Sequence, residues 1–144
     1  MPSSPICDFF HHGGTENTEM SAKPDDLAGK VIGAAIVVHK HLGPGLLESA
    51  YEACLALELS YLAIPFERQK PVPIIYRGQA IDAAYRLDFV VTGQLLLELK
   101  SVERFDPIHT AQVLTYLRLT GLKLALLINF NVPLLRDGIK RLSL

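Results

Sequence analysis

Acidic and basic side chains alternate with aliphatic ones in two neighbouring stretches of this 144-residue chain. The first stretch carries Asp88, and the second carries Glu98 and Lys100. Residues two apart on a β-strand share a face, so Glu98 and Lys100 point the same way. Adjacent carboxylates repel each other unless a divalent metal, a shared proton or a neighbouring cation intervenes. If the two acids meet, they form a hard oxygen site that suits Mg²⁺ or Mn²⁺ better than zinc.

Whether Asp88 and Glu98 meet depends on the loop between their strands. Paired positions in an antiparallel hairpin have residue numbers with a constant sum, and these two acids share a face only when that sum is even. An even sum requires a loop with an odd number of residues, such as residues 91–93 with Gly93 in the left-handed conformation. The acids are then close enough to share one cation. Regular alternation also places Arg86 on the same face as Asp88. The side chains expected on the opposite face are Tyr85, Leu87, Phe89 and Val91.

The chemistry expected of such a pair is hydrolysis at a phosphate. A cation that bridges two carboxylates and a phosphate oxygen can activate water and stabilise developing charge, and Lys100 would orient that water or help to deprotonate it. The same alternation is also typical of any half-exposed strand, where a surface ion pair contributes little. From these three residues alone, both interpretations stay open.

Two helices offer further polar residues. Glu48 lies about one turn into the second predicted helix, where the helix dipole alone would favour an acid. His109, Gln112 and Tyr116 are three and four residues apart, so they line one face of the third predicted helix. Gln112 would reach the carboxylates if that helix packs beside the strand of Glu98. The alternative is an ordinary solvent-exposed face.

The elements that must position these residues follow from the spacing of apolar side chains. Helices are predicted over residues 27–42, 46–63 and 106–120, with Asp25 or Asp26 capping the first and Asp106 the third. Strands are predicted over residues 72–76, 83–91, 94–101 and 124–130, the last buried on both faces. Residues 134–144 add a short edge strand or a turn. The buried stripe of the second helix is expected to comprise Leu47, Ala50, Cys54, Leu57 and Tyr61.

Composition limits the class of protein. An apolar fraction of 49% and a charged fraction of 20% exclude wholesale disorder. A net charge of −1 argues against a histone-like coat for nucleic acid. No apolar run is long enough for a membrane span, no secretory signal is visible, and two cysteines without metal-binding spacing indicate free thiols in the reducing cytoplasm. Residues 1–24, which include the pair His11 and His12, read as a flexible tail before a domain at residues 25–144.

Several short motifs together resemble a known family. Residues 45–51 read GLLESAY, residues 86–88 read RLD, and residues 98–100 read ELK; Gln112 to Tyr116 and the stretch LLINF at residues 126–130 follow in order. The set, spanning about residues 27–144, resembles the GxxExxY proteins, a group within the PD-(D/E)XK nuclease-like superfamily. Leu87 stands where that superfamily often has proline, which alters the local backbone.

The resemblance implies a fold and a site. The fold would be an α/β restriction-endonuclease-like core, with a mixed sheet of about four strands flanked by helices. Glu48, Asp88, Glu98 and the Leu99 carbonyl would bind Mg²⁺ or Mn²⁺. Lys100 would position the water, and Gln112 would support the site.

The function implied is a metal-dependent nuclease that hydrolyses phosphodiester bonds of DNA or RNA. The residues expected to contact the nucleic acid are Arg86, His39, Lys40 and Tyr116. A homodimer would double the surface available to a duplex. The alternatives are a non-catalytic module that binds nucleic acid or protein on the same fold, and a structural or toxin–antitoxin-type interaction protein.

Overall fold

The computed structural model describes residues 23–144. Residues 1–22 of the tail expected at residues 1–24, with His11, His12 and Cys7, lie outside the described residues. The elements in chain order are α1 Pro24–Leu42, α2 Glu48–Tyr61, β1 Phe66–Tyr76, β2 Gln79–Val91, β3 Leu95–Lys100, α3 Pro107–Thr120, β4 Leu124–Asn129 and β5 Ile139–Ser143, with one 3-10 turn, Leu135–Gly138, before β5. Within this part of the chain, no helix combines the length and apolar character needed to cross a membrane.

The five strands form one mixed sheet in the order β1-β2-β3-β4-β5. Strands β3 and β4 are parallel, and every other neighbouring pair is antiparallel. A parallel pair needs a crossover connection, which α3 provides. The predicted α/β class and mixed sheet are confirmed, and the segment after residue 134 supplies a fifth, edge strand beyond the four expected.

Helices cover both faces of the sheet. Helices α1 and α2 pack on one face against side chains that include Phe89, Leu97 and Ile128. Helix α3 packs on the other face, where Leu96 and Leu127 lie. Every residue of β4 is buried, because both of its faces are covered, as predicted for residues 124–130.

The ends of α3 follow the sequence. The Asp106 side chain accepts a hydrogen bond from the Ile108 N–H at 3.3 Å, and His109 Nδ1 accepts one from the Asp106 N–H at 3.0 Å. Gly121 ends the helix with a φ of 76°. Helix α1 differs, because it begins at Pro24 and Lys23 is its N-cap residue. The two aspartates expected to cap it therefore lie inside its first turn.

Helix α2 is rotated relative to the prediction. Its buried side chains are Tyr51, Leu55, Ala56 and Leu59, whereas Leu47, Leu57 and Tyr61 are exposed. The helix begins at Glu48 instead of residue 46. Because apolar residues occur around most of its circumference, the spacing fits two rotations. The packing of Tyr51 onto Phe130, with ring centroids 4.4 Å apart, accompanies the observed one.

Strand β1 begins at Phe66, six residues before the predicted start. Its early residues are mostly charged, and Pro71 lies among them, so their sequence does not indicate a strand. An edge strand tolerates both features, because one side of its backbone needs no partner. The anchor is Phe66, whose ring meets that of Phe89 edge to face at 5.6 Å.

Candidate active site

The hairpin between β2 and β3 has the parity that the site requires. The pairs are Phe89 with Leu97, Val90 with Leu96, and Val91 with Leu95, so paired residue numbers add to a constant even value. The loop is residues 92–94, which has the odd number of residues that a shared face requires and lies one residue later than the example of residues 91–93. Thr92 and Gly93 adopt φ values of 48° and 68°. Continuing the register places Asp88 opposite Glu98.

The ladder of main-chain hydrogen bonds between β2 and β3 stops at the two acids. The Asp88 N–H donates to Glu98 Oε2 at 2.9 Å, and the Leu99 N–H donates to Asp88 Oδ2 at 2.8 Å. Each carboxylate is thus fixed by a backbone amide of the facing strand. One oxygen of each acid is used in this way: Glu98 Oε2 and Asp88 Oδ2.

The pair is short of positive charge. Burial and, second to it, the neighbouring charge of Asp88 raise the pKa of Glu98 to about 8, although the Asp88 N–H and Lys100 act to lower it. Burial also raises the pKa of Asp88, while the Leu99 N–H and Lys100 lower it. Lys100 is therefore within electrostatic reach of both acids, but it does not neutralise them. Near neutral pH the site retains a proton or needs a cation.

Glu48 lies at the rim of this pair. Its charge raises the pKa of both Asp88 and Glu98, so it is within electrostatic reach of each. It is exposed in the first turn of α2. The segment before α2 is held in place because Tyr51 Oη donates to the Gly43 carbonyl at 2.6 Å and accepts from the Leu46 N–H at 3.1 Å.

A second tie joins that segment to the strand of Glu98. Ser101 Oγ, one residue beyond the end of β3, donates to the Leu46 carbonyl at 2.6 Å. The start of α2 is therefore fixed beside the carboxyl end of β3. This contact accounts for how Glu48, distant in the sequence, comes to face the two strand acids.

Two residues of the site were not foreseen from the sequence. Gln69 Nε2 donates to Glu52 Oε1 at 2.9 Å and to Asp88 Oδ1 at 3.4 Å. Glu52 also forms an ion pair with Arg68 at 3.1 Å, and its charge raises the pKa of Asp88. Glu52 follows Glu48 by one helical turn, and this spacing is a signal in the sequence. No such signal marks Gln69, because its part of β1 does not read as a strand.

The alternation of faces along β2 breaks at Asp88. Leu87 packs on the α3 side of the sheet, whereas Phe89 packs on the side of α1 and α2. The prediction that both take one face is therefore wrong. Gln69, across from Asp88, has a φ of 51° and is absent from the paired positions between Arg68 and Lys70. A left-handed residue of this kind twists the hairpin locally.

The residues predicted to contact nucleic acid fall in different environments. Arg86 and Lys40 are exposed, and Arg86 Nη1 donates to the Gln69 carbonyl at 3.4 Å, at the edge of the site. His39 is buried, and its Nε2 lies 2.8 Å from the Val132 carbonyl oxygen, so it is a structural residue and not part of a contact surface.

Tyr116 is also buried, against the expectation that it would lie on a polar face of α3. It packs beside Val113 and Leu117 in the core on that side of the sheet. Burial raises the pKa of Tyr116, as does the charge of Glu98, so the buried phenol lies within electrostatic reach of Glu98. Gln112 is partly buried one turn earlier on the same helix. The stripe of α3 that faces the sheet therefore contains Tyr116, which the sequence had assigned to the polar side.

The donor set fits a hard divalent cation held by two carboxylates. Among residues 23–144, no group of three or more His, Cys, Asp or Glu side chains is close enough for one ion. The expected trio is thus a pair, Asp88 and Glu98, with Glu48 farther out. Mg²⁺ is commonly held by one or two carboxylates and keeps several waters, so the pair is sufficient for it. The raised pKa of Glu98 indicates the same deficit of positive charge.

The family model for the PD-(D/E)XK nuclease superfamily matches residues 25–142, from the first turn of α1 into β5. No curated protein and no solved structure matches the chain.

Proposed function

Since the chain belongs to the PD-(D/E)XK nuclease superfamily, we propose that it is a metal-dependent nuclease that hydrolyses phosphodiester bonds of DNA or RNA. The observation that carries the proposal is the crossed pair of hydrogen bonds that fixes Asp88 and Glu98 side by side where the ladder opens. The segment GLLESAY at residues 45–51 supports a place for the chain in the GxxExxY group.

In this proposal, Asp88 and Glu98 hold Mg²⁺ or Mn²⁺ with the Leu99 carbonyl as a further ligand, and Glu48 adds negative charge at the rim of the site. When bound, the metal supplies Lewis-acid stabilisation of the charge that develops on the phosphate. The backbone amides of Asp88 and Leu99 keep the two carboxylates in position before the substrate arrives, so little reorganisation is needed.

Lys100 orients the attacking water and helps to remove its proton. Its positive charge lowers the pKa of both acids, and this electrostatic reach supports the role. The water oxygen forms a bond to phosphorus while the ester P–O bond breaks, which gives a phosphate monoester and a hydroxyl. Gln112 supports the site from α3, and the exposed cations Arg86 and Lys40 contact phosphates, which supplies affinity without base specificity.

Calorimetric titration of Mn²⁺ tests the metal site. The wild-type protein is expected to bind Mn²⁺ weakly and Glu98→Ala to lose that binding. Glu103→Ala, which removes an exposed acid after β3, is the matched control and is expected to bind as the wild type does. Equal heats in the wild type and Glu98→Ala would remove the metal from the proposal.

Cleavage assays test the reaction itself. Single-stranded DNA, duplex DNA, branched DNA and RNA are incubated with Mg²⁺ or Mn²⁺. Lys100→Ala is expected to keep metal binding and lose turnover. If turnover survives in Lys100→Ala, the role assigned to Lys100 is wrong.

Two finer expectations belong to the same proposal. A reducing, cytoplasmic setting accords with Cys54, a free thiol within the described part of the chain.

A homodimer would extend the surface that contacts nucleic acid, and the exposed apolar side chains Leu47, Leu57 and Tyr61, at and along α2, are available to a second copy. Light scattering of the purified protein, with and without nucleic acid, measures the mass that decides this.

A further inference from the structure

An exposed tyrosine lies next to the acids on the α3 side of the sheet. Tyr85 precedes Asp88 by three residues on β2, and 45% of its surface is exposed. Its ring meets the buried ring of Tyr116 edge to face, with centroids 6.2 Å apart and an angle of 61° between planes. Tyr116 in turn lies close enough to Glu98 to feel its charge. One buried ring therefore links Tyr85 to the reacting centre.

Tyr85 is anchored to buried neighbours, while nearly half of its surface stays exposed. Its partner across the hairpin is Val72, which is buried in the core beneath α3 together with Tyr116. A tyrosine packed in this way has few rotamers left to lose, so a ligand that covers its open part gains contact area at a small entropic cost.

A cation follows Tyr85 directly on β2. Arg86 is exposed, and its guanidinium donates to the backbone carbonyl of Gln69, whose side-chain amide reaches Asp88 Oδ1. Three residues of strand span about 10 Å, so Tyr85 and Arg86 are both attached to β2 within about 10 Å of Asp88. An aromatic ring and a cation attached that close to the acids suit a nucleic-acid strand, which carries a base and a phosphate in each repeat.

We propose that Tyr85 is a base-stacking platform beside the cleaved phosphate, and that the substrate is nucleic acid with unpaired bases at that point. The inference rests on the proposed nuclease function. A base within a duplex is stacked on both faces and has no face left for a tyrosine, whereas an unpaired base does. Stacking is common to DNA and RNA, so the ring selects for an unpaired strand and not for the sugar.

Fluorescence anisotropy of labelled oligonucleotides tests the platform. The measurements use the Lys100→Ala background with Mn²⁺, so that binding is read without cleavage, on single-stranded DNA, single-stranded RNA and duplex DNA. Tyr85→Ala is expected to weaken binding of single strands roughly 5- to 150-fold, the range measured for loss of one stacked base. Tyr85→Phe keeps the ring and is expected to bind as the parent does. Duplex affinity is expected to be unchanged in both variants.

Two further variants make the test specific. Tyr85→Leu keeps apolar contact with Tyr116 but cannot stack, so it is expected to match Tyr85→Ala even if the alanine variant folds poorly. Tyr76→Ala removes another exposed tyrosine, at the end of β1, seven strand residues and hence about 23 Å from Gln69, and is expected to change nothing.

The platform is overturned if Tyr85→Ala and Tyr85→Leu bind single strands as tightly as the parent, or lose single-stranded and duplex affinity equally. Metal-dependent cleavage by the protein with Lys100 intact is measured in parallel. Cleavage without a Tyr85 effect rejects the platform alone. A Tyr85 effect without cleavage of any substrate rejects the nuclease and leaves a protein that binds unpaired strands.

Discussion

The carboxyl of Glu98 is the residue whose chemistry depends most on its surroundings. Burial and the charge of Asp88 raise its pKa from an ordinary value of 4.5 to about 8. Because the folded-state pKa is the higher one, the protonated acid stabilises the fold below pH 4.5, and this contribution is lost as the pH rises towards 8. The metal-free protein therefore loses stability across the physiological range, and the loss is on the order of a few kcal/mol.

Thermal unfolding in EDTA between pH 5 and pH 9 measures this loss. The wild-type melting temperature is expected to fall as the pH rises, whereas Glu98→Gln, which cannot ionise but can still accept from the Asp88 N–H, is expected to keep most of its stability. Added Mg²⁺ is expected to restore the wild type at high pH, because an ion that binds only the folded state stabilises it by mass action. Parallel pH profiles for the two proteins would contradict the assignment.

Gln69 acts on the site through Asp88. Its amide lies between the carboxylates of Glu52 and Asp88, and its backbone occupies a left-handed conformation. A residue that orients a metal ligand in this way is expected to change metal affinity without being a ligand itself.

Replacement of Gln69 separates its side chain from its backbone. Gln69→Asn keeps an amide and tolerates the positive φ, but it is one methylene too short to bridge the acids; Gln69→Gly relieves the φ and removes the amide. Both are expected to bind Mn²⁺ roughly 10- to 100-fold more weakly by calorimetry, with thermal stability little changed. Wild-type affinity in both variants would show that Asp88 needs no such support.

At the scale of elements, the start of α2 is fixed by hydrogen bonds of a single phenol. Tyr51 Oη joins the Gly43 carbonyl to the Leu46 N–H, while its ring stacks on Phe130. The hydroxyl therefore holds the turn that carries Glu48, and the ring holds the helix to the core.

Tyr51→Phe removes the hydroxyl and keeps the ring. The change is expected to lower the free energy of unfolding by about 1 to 3 kcal/mol, since the Leu46 N–H and the Gly43 carbonyl lose their partner. Urea denaturation measures the loss. Ser60→Ala removes another helix hydroxyl, whose bond to the Ala56 carbonyl lies within α2, and is expected to cost less. Equal losses in the two variants would deny the phenol a special role.

The limits of prediction are clearest in these same elements. Gly93 marks the turn of the β2–β3 hairpin in the sequence, but an odd loop was only the condition for the acids to meet, because predicted strands that end at residue 91 and start at residue 94 leave two residues between them. The rotation of α2 could not be predicted, since Leu47, Leu57 and Tyr61 look as suitable for burial as Tyr51 and Leu55. The break in β2 depends on the conformation of Gln69, a residue type that gives no sign of adopting a positive φ.

At the scale of the whole molecule, the segment that connects β4 to β5 packs at the end of the sheet beside the site. Asn129 is buried at the end of β4, and its side chain accepts from the Val102 N–H at 3.0 Å and donates to the Val102 carbonyl at 2.9 Å. The 3-10 turn then brings Gly138 so close that an added Cβ would overlap the Asn129 carbonyl oxygen.

Gly138→Ala is therefore expected to destabilise the protein by several kcal/mol, because backbone must move at a buried junction. Gly33→Ala is the matched control: Gly33 is exposed in the middle of α1 with nothing near its Cβ position, so alanine there is expected to stabilise by about 0.5 to 1 kcal/mol. Chemical denaturation of both variants measures the difference, and a tolerated Gly138→Ala would mean that β5 is loosely joined.

The opened ladder gives the protein two intrinsic reporters. The amides of Asp88 and Leu99 each donate to a carboxylate oxygen, whereas in the neighbouring pairs of the hairpin the hydrogen bonds join main-chain atoms. The NMR resonances of these two amides must therefore move when either acid gains a proton or a cation. The chemical shifts of two backbone amides thus report the charge state of the acids in the intact molecule, without any attached label.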